Sequence, residues 1–158
     1  MMLFTDGSVH VQTGIGFGAY LIIDDVESPI DLLKNKVKIV RFEQTSSTKL
    51  ELQTLLHAFE NLPKSVEQLQ IYSDSQNIQS LLERRERLEK NDFISKSGRL
   101  LNNSDLYREF FQKTDDLNCT FFKVKGHKKS VKKNKIDRIF TLVDRASRKA
   151  LREHLDRT

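Results

Sequence analysis

The chain has 158 residues, 31% charged and 37% hydrophobic, with a formal net charge of +5. That length and balance describe one soluble domain, 1–158, with a real core, and the positive excess favours an anionic partner, nucleic acid before membrane. A single cysteine, Cys119, excludes an intramolecular disulfide framework and a Cys-rich zinc site, and it suits a reducing cytoplasm.

In chain order, LFTD, GFGAYLII and VKIVRFEQ read as three strands, with Asp6 closing the first and Gly14, Gly16 and Gly18 marking the turn into the second. SSTKLELQTLLHAFENLP is a helix that Ser47 or Thr48 can cap and Pro63 stops. LQIYS is a short fourth strand, and the helices SQNIQSLLERRERLEK and DLYREFFQK follow, separated by the irregular NDFISKSGRLLNNS. CTFFKVKG is a fifth strand with Cys119 buried in it, and KKSVKKNK is a basic loop. IDRIFTLVDRASRKALREHL closes the chain as a long helix. No repeat, low-complexity tract or linker marks a second domain. No apolar run reaches membrane-spanning length, and the first eight residues lack a signal-peptide pattern. Three strands, a helix and then strand–helix alternation predict an α/β fold, a mixed sheet with helices packed on it.

Four acids stand out against their surroundings. Asp6 follows an apolar strand, as a turn residue in Asp-Gly or as a metal ligand or catalytic acid. Glu51 falls within about 80° of Leu55, Ala58, Phe59 and Leu62 on the helix wheel, at the margin of the apolar side; a boundary Glu reaching back to water would look the same. Asp74 ends LQIYS, where it or Ser75 could simply cap the next helix. Asp144 lies beside Phe140, Ser147 and Leu151, with an i,i+4 ion pair to Arg148 as the ordinary alternative. If the four converge, their mutual repulsion calls for cations. Hard oxygen ligands select Mg²⁺ or Mn²⁺ over zinc, and two such ions can clamp the attacking and leaving oxygens of a phosphodiester.

FTDGS, the Gly-rich turn before GFGAYLI, TSSTKLELQ, IYSDSQ and FKVKGH, in this order, resemble the type 1 ribonuclease H family over nearly the whole chain. The resemblance implies a five-stranded mixed sheet flanked by helices, its first three strands antiparallel. It implies Mg²⁺-dependent endonucleolytic cleavage of the RNA strand of RNA–DNA hybrids, with two ions bound alongside the substrate and Mn²⁺ as the alternative metal. Asp6, Glu51 and Asp74 match the family's first three metal-binding carboxylates, and His127 its mobile histidine, which suits proton transfer. A surface His in a solvated loop is the plainer reading of His127. A monomer in the cytoplasm, with no membrane partner, is expected.

Two departures matter. The usual spacing after the histidine selects Asp137 as fourth carboxylate, whereas the sequence around Asp144 better resembles the family's helix. The two differ by about 20° on the wheel and roughly 10 Å along the axis, so only one can serve; Asp144 is preferred, with the stretch between as an insertion. Where family members carry Asn at the start of the Glu helix, this chain has Ser47 and Thr48, which can still donate to a sugar hydroxyl. Gln76 matches a position approaching the RNA strand. The basic loop offers Lys125, Lys128 and Lys129 to phosphates. Arg84, Arg85, Arg87, Lys90, Lys96 and Arg99 are a second basic cluster, or else a solvated face laced with ion pairs. The rival functions are a nucleic-acid-binding module that has lost hydrolysis and another nuclease on the same scaffold.

Overall fold

The computed structural model describes residues 1–125 and 134–158. Five strands form one sheet in the order β3-β2-β1-β4-β5: β1 (Met2–His10), β2 (Ile15–Ile23), β3 (Lys38–Phe42), β4 (Gln68–Ser73) and β5 (Asn118–Lys123). The pairs β1–β2 and β2–β3 are antiparallel, and β1–β4 and β4–β5 are parallel. The sheet is therefore mixed, with its first three strands antiparallel.

Alternation along the strands sorts side chains onto two faces. Leu3, Tyr20, Leu69 and Ile71 face a core built with α2 (Ser47–Glu60), α3 (Gln76–Lys90) and α4 (Ser104–Asp116). Phe4, Ala19, Leu21 and Ile23 face a second core with Ile139, Phe140 and Val143 of α5 (Lys135–Asp156). The result is three layers. A five-residue helix, α1 (Ile30–Lys34), adds Leu33 to the second core; with one buried side chain it leaves no periodic signal in the sequence. No helix among the described residues is long and apolar enough to cross a membrane.

Three local expectations are corrected. β1 does not stop at Asp6 but continues to His10, because Asp6, Gly7 and Ser8 pair with Ala19, Gly18 and Phe17; strand pairing overrides the local turn preference of Asp-Gly. The cap of α2 is Ser46, whose side chain accepts from the Lys49 N–H at 3.3 Å, not Ser47 or Thr48. Only Gly14 belongs to the hairpin turn, at φ +69°. Gly18 instead admits α2: a Cβ there would fall 2.0 Å from Thr54 Oγ1, and one on Gly7 would fall 2.8 Å from Leu50 Cδ2. Bare backbone on β1 and β2 thus lets α2, the helix that carries Glu51, lie close to the sheet.

α5 runs antiparallel to β2. Lys135 at its start pairs with Glu27 just past the end of β2, and His154 near its end meets the ring of Phe17 at 5.7 Å. Midway, Ser147, fully buried, meets Ser8 Oγ to Oγ at 3.1 Å. That polar contact fixes the helix along its own axis against β1.

Candidate active site

The parallel pairing of β1 with β4 sets Phe4 beside Tyr72. Two residues further on come Asp6, within β1, and Asp74, just past the end of β4, so the same register brings these acids side by side where the pairing ends. α5 supplies a third carboxylate from the opposite face, since Asp144 lies one turn before Ser147 and makes a side-chain hydrogen bond with Asp6. Burial, the charge of Asp74 and the bond to Asp144 together push the Asp6 carboxyl up to about 8, against a Gly7 N–H donation that lowers it. Asp6 therefore holds a proton near neutrality. Asp144 is also paired with Arg148 Nε at 2.9 Å.

Glu51 enters from α2. Burial raises its pKa, hydrogen bonds from Ser75 and Asn77 lower it, and the charge of Asp74 raises it again. The cap of α3 is Ser75, which accepts from the Ile78 N–H at 3.2 Å, so the capping role open to Asp74 in the sequence falls to its neighbour. The same Ser75 hydroxyl donates to Glu51 Oε2.

Asp137 has a different place. It is buried and completes a capping box with Asn134: the Asp137 N–H donates to Asn134 Oδ1 at 2.9 Å, and Asp137 Oδ2 accepts from the Asn134 N–H at 3.1 Å. Two turns separate it from Asp144, and it lies toward the Glu27 end of α5.

The donor set suits a hard divalent cation. It consists of carboxylates, one of which, Asp6, is driven toward its protonated form by burial first and by the neighbouring acids second. Among the described residues, however, no group of three or more His, Cys, Asp or Glu forms a ready-made ligand set. The acids meet in pairs: Asp6 with Asp74, Asp6 with Asp144, and Glu51 with Asp74.

Around the acids, Ser47 is exposed and Thr48 half-buried at the start of α2. Gln76 is exposed at the start of α3 and accepts from Lys123 Nζ at the end of β5, and Lys125 follows, exposed. His127, Lys128 and Lys129 lie outside the described residues. Phe4, Tyr72 and Phe122 stack across β1, β4 and β5 at 4.8 and 5.0 Å.

The second basic cluster is partly spoken for. Arg85 makes a two-pronged pair with Asp115 at 2.6 Å, joins Glu89 at 2.8 Å and lies over the Phe111 ring, so it fastens α3 to α4. Phe93 is a core residue under the Arg108 guanidinium. The groove of about 340 Å³ between these helices is lined by none of the four acids. Cys119 is half-buried and its thiol is pushed up to about 11 by burial, which makes it inert. Sequence reasoning missed Asn77, Ser8 and Ser147, because a single polar residue in a helix or strand has ordinary local uses and its partner lies far away in sequence.

The family model described as RNase H matches residues 1–150. A solved structure of the foamy viral protease–reverse transcriptase in complex with double-stranded DNA is similar in fold, with a TM-score of 0.61 at 12% sequence identity over 92% of this chain and 92% of that chain. No curated protein matches the chain by sequence.

Proposed function

The chain belongs to the RNase H family, and on that premise we propose that it is an endonuclease that cleaves the RNA strand of RNA–DNA hybrids at Asp6, Glu51, Asp74 and Asp144. The observation that carries this reading is Asp6, held between Asp74 and Asp144 and pushed up to about 8. Perturbed carboxylates gathered where β1 and β4 stop pairing mark a site for chemistry. Mg²⁺ or Mn²⁺, as two ions bound with the substrate, would supply the Lewis acidity for phosphodiester hydrolysis.

The chain's own residues do the rest. The four carboxylates would hold the cations, with Asp6 in its ionised form. Ser47 and Thr48 offer hydroxyls to the sugars of the hybrid, and Gln76, at the start of α3, offers its amide to the RNA strand. Lys125, with Lys128 and Lys129 beyond the described residues, neutralises phosphates and sets the position of the duplex without reading its sequence. His127, outside the described residues, assists proton transfer and product release. The enzyme works as a monomer in the cytoplasm, its partner the hybrid.

One observation favours a second reading. The lack of a three-ligand set among the described residues suits a nucleic-acid-binding module that has lost hydrolysis. A cleavage assay on RNA–DNA hybrid, duplex DNA and duplex RNA, with and without Mg²⁺, separates the two. Cleavage confined to the RNA strand of the hybrid and dependent on Mg²⁺ supports the enzyme; binding without cleavage of any duplex supports the module.

A further inference from the structure

Glu51 is not held by its own helix. Its Oε2 accepts from Ser75 Oγ and from Asn77 Nδ2, the latter at 3.5 Å, and both donors belong to the start of α3. The same Asn77 nitrogen donates to Thr48 Oγ1 at 3.1 Å. An amide nitrogen carries two hydrogens, one for each acceptor, so Asn77 ties together two residues of α2 that stand one turn apart. Both donors end on Oε2, and the hydrogen bonds to this carboxylate from described residues leave Oε1 open. Ser75 is buried and already caps α3, whereas Asn77 is exposed and outside the core.

We infer that Asn77 is a positioning residue: its amide fixes the Glu51 carboxylate through Oε2, would leave Oε1 for a bound cation, and links that orientation to Thr48. This rests on Glu51 being a metal ligand, as proposed above. A glutamate side chain has three rotatable bonds, and hydrogen bonds that restrain a ligating carboxylate are worth about 10–100-fold in metal affinity or activity when removed. Nothing in the local sequence marks position 77; the role comes from α2 and α3 starting side by side.

The test measures Mn²⁺ binding by calorimetry, without nucleic acid, for the wild type, Asn77→Ala and Glu51→Gln, with the melting temperature of each. Asn77→Ala should weaken binding by about tenfold with an unchanged melting temperature, and Glu51→Gln should remove most of the binding. If Glu51→Gln loses Mn²⁺ but Asn77→Ala binds it as the wild type does, the positioning role is overturned and the site reading stands. If Glu51→Gln binds Mn²⁺ normally, the site reading falls and takes the positioning role with it. A fall in melting temperature for Asn77→Ala that matches its loss of affinity would make the residue a packing element and also overturn the inference.

Discussion

Asp6 sits on β1 with Asp74 beside it and Asp144 in hydrogen-bonding contact, and its pKa stands at about 8 in place of the ordinary 3.8. The consequence for stability has a definite sign. Below about pH 4 the folded and unfolded states both bind the proton. Between about 4 and 8 only the folded state keeps it, so the stability it confers is progressively lost as pH rises, and beyond 8 no further loss occurs. Metal-free protein should therefore lose denaturation free energy across that window, and Asp6→Asn should flatten the profile and melt higher at pH 8, because the amide keeps the shape without the charge. Denaturant titrations at pH 5 and 8 check this; an equal pH dependence in both proteins would contradict it. Each acid on its own was ambiguous in the sequence because turns, caps and ion pairs use the same residue types. Ser75 taking the cap of α3 and Asp137 taking the capping box of α5 show how closely the ordinary jobs lie beside the proposed site.

Among elements, α2 and α5 bring the acids to the sheet by different means. α2 gets there because β1 and β2 lack side chains beneath it, so Gly18→Ala should cost about 1–3 kcal/mol of overpacking against Thr54. Gly18→Ala combined with Thr54→Ala should recover part of that loss, read by thermal or urea unfolding. α5 gets there by register, through Ser147 on Ser8. The strands and long helices were legible in the sequence because alternation and the 3.6-residue period are strong over their lengths. The run of Gly16 and Gly18 was not, since a strand glycine looks the same whether it serves a turn or a helix packed against it. The basic run ERRER was also opaque: its mixed signs do not say which arginine pairs with α4. Arg85→Ala should destabilise the protein while leaving affinity for hybrid unchanged, a combination that unfolding and binding curves report together.

For the molecule as a whole, the sheet order β3-β2-β1-β4-β5 is what makes the acids neighbours. Asp6 and Asp74 are 68 positions apart in sequence, and only the parallel pairing of β1 with β4 joins them. No local pattern could state that distance; the order of the motifs, through family resemblance, implied it. The net charge of +5 acts at the same scale. If the lysines of the basic loop contact phosphates, Lys128→Ala with Lys129→Ala should weaken hybrid and duplex DNA alike and reduce the slope of log affinity against log salt by roughly one unit per lost contact. An unchanged slope would leave that loop as a solvated one. The central claim is that the acids meeting where β1 and β4 stop pairing are the catalytic centre, with Asp144 and not Asp137 as the fourth. Single-turnover cleavage of one RNA–DNA hybrid in Mg²⁺ by wild type, Asp144→Asn and Asp137→Asn tests it most directly. Asp144→Asn should lose at least about a hundredfold and Asp137→Asn should cleave near-normally at a cost of only about 1 kcal/mol of stability; full activity in Asp144→Asn with loss in Asp137→Asn would assign the fourth carboxylate to Asp137 instead.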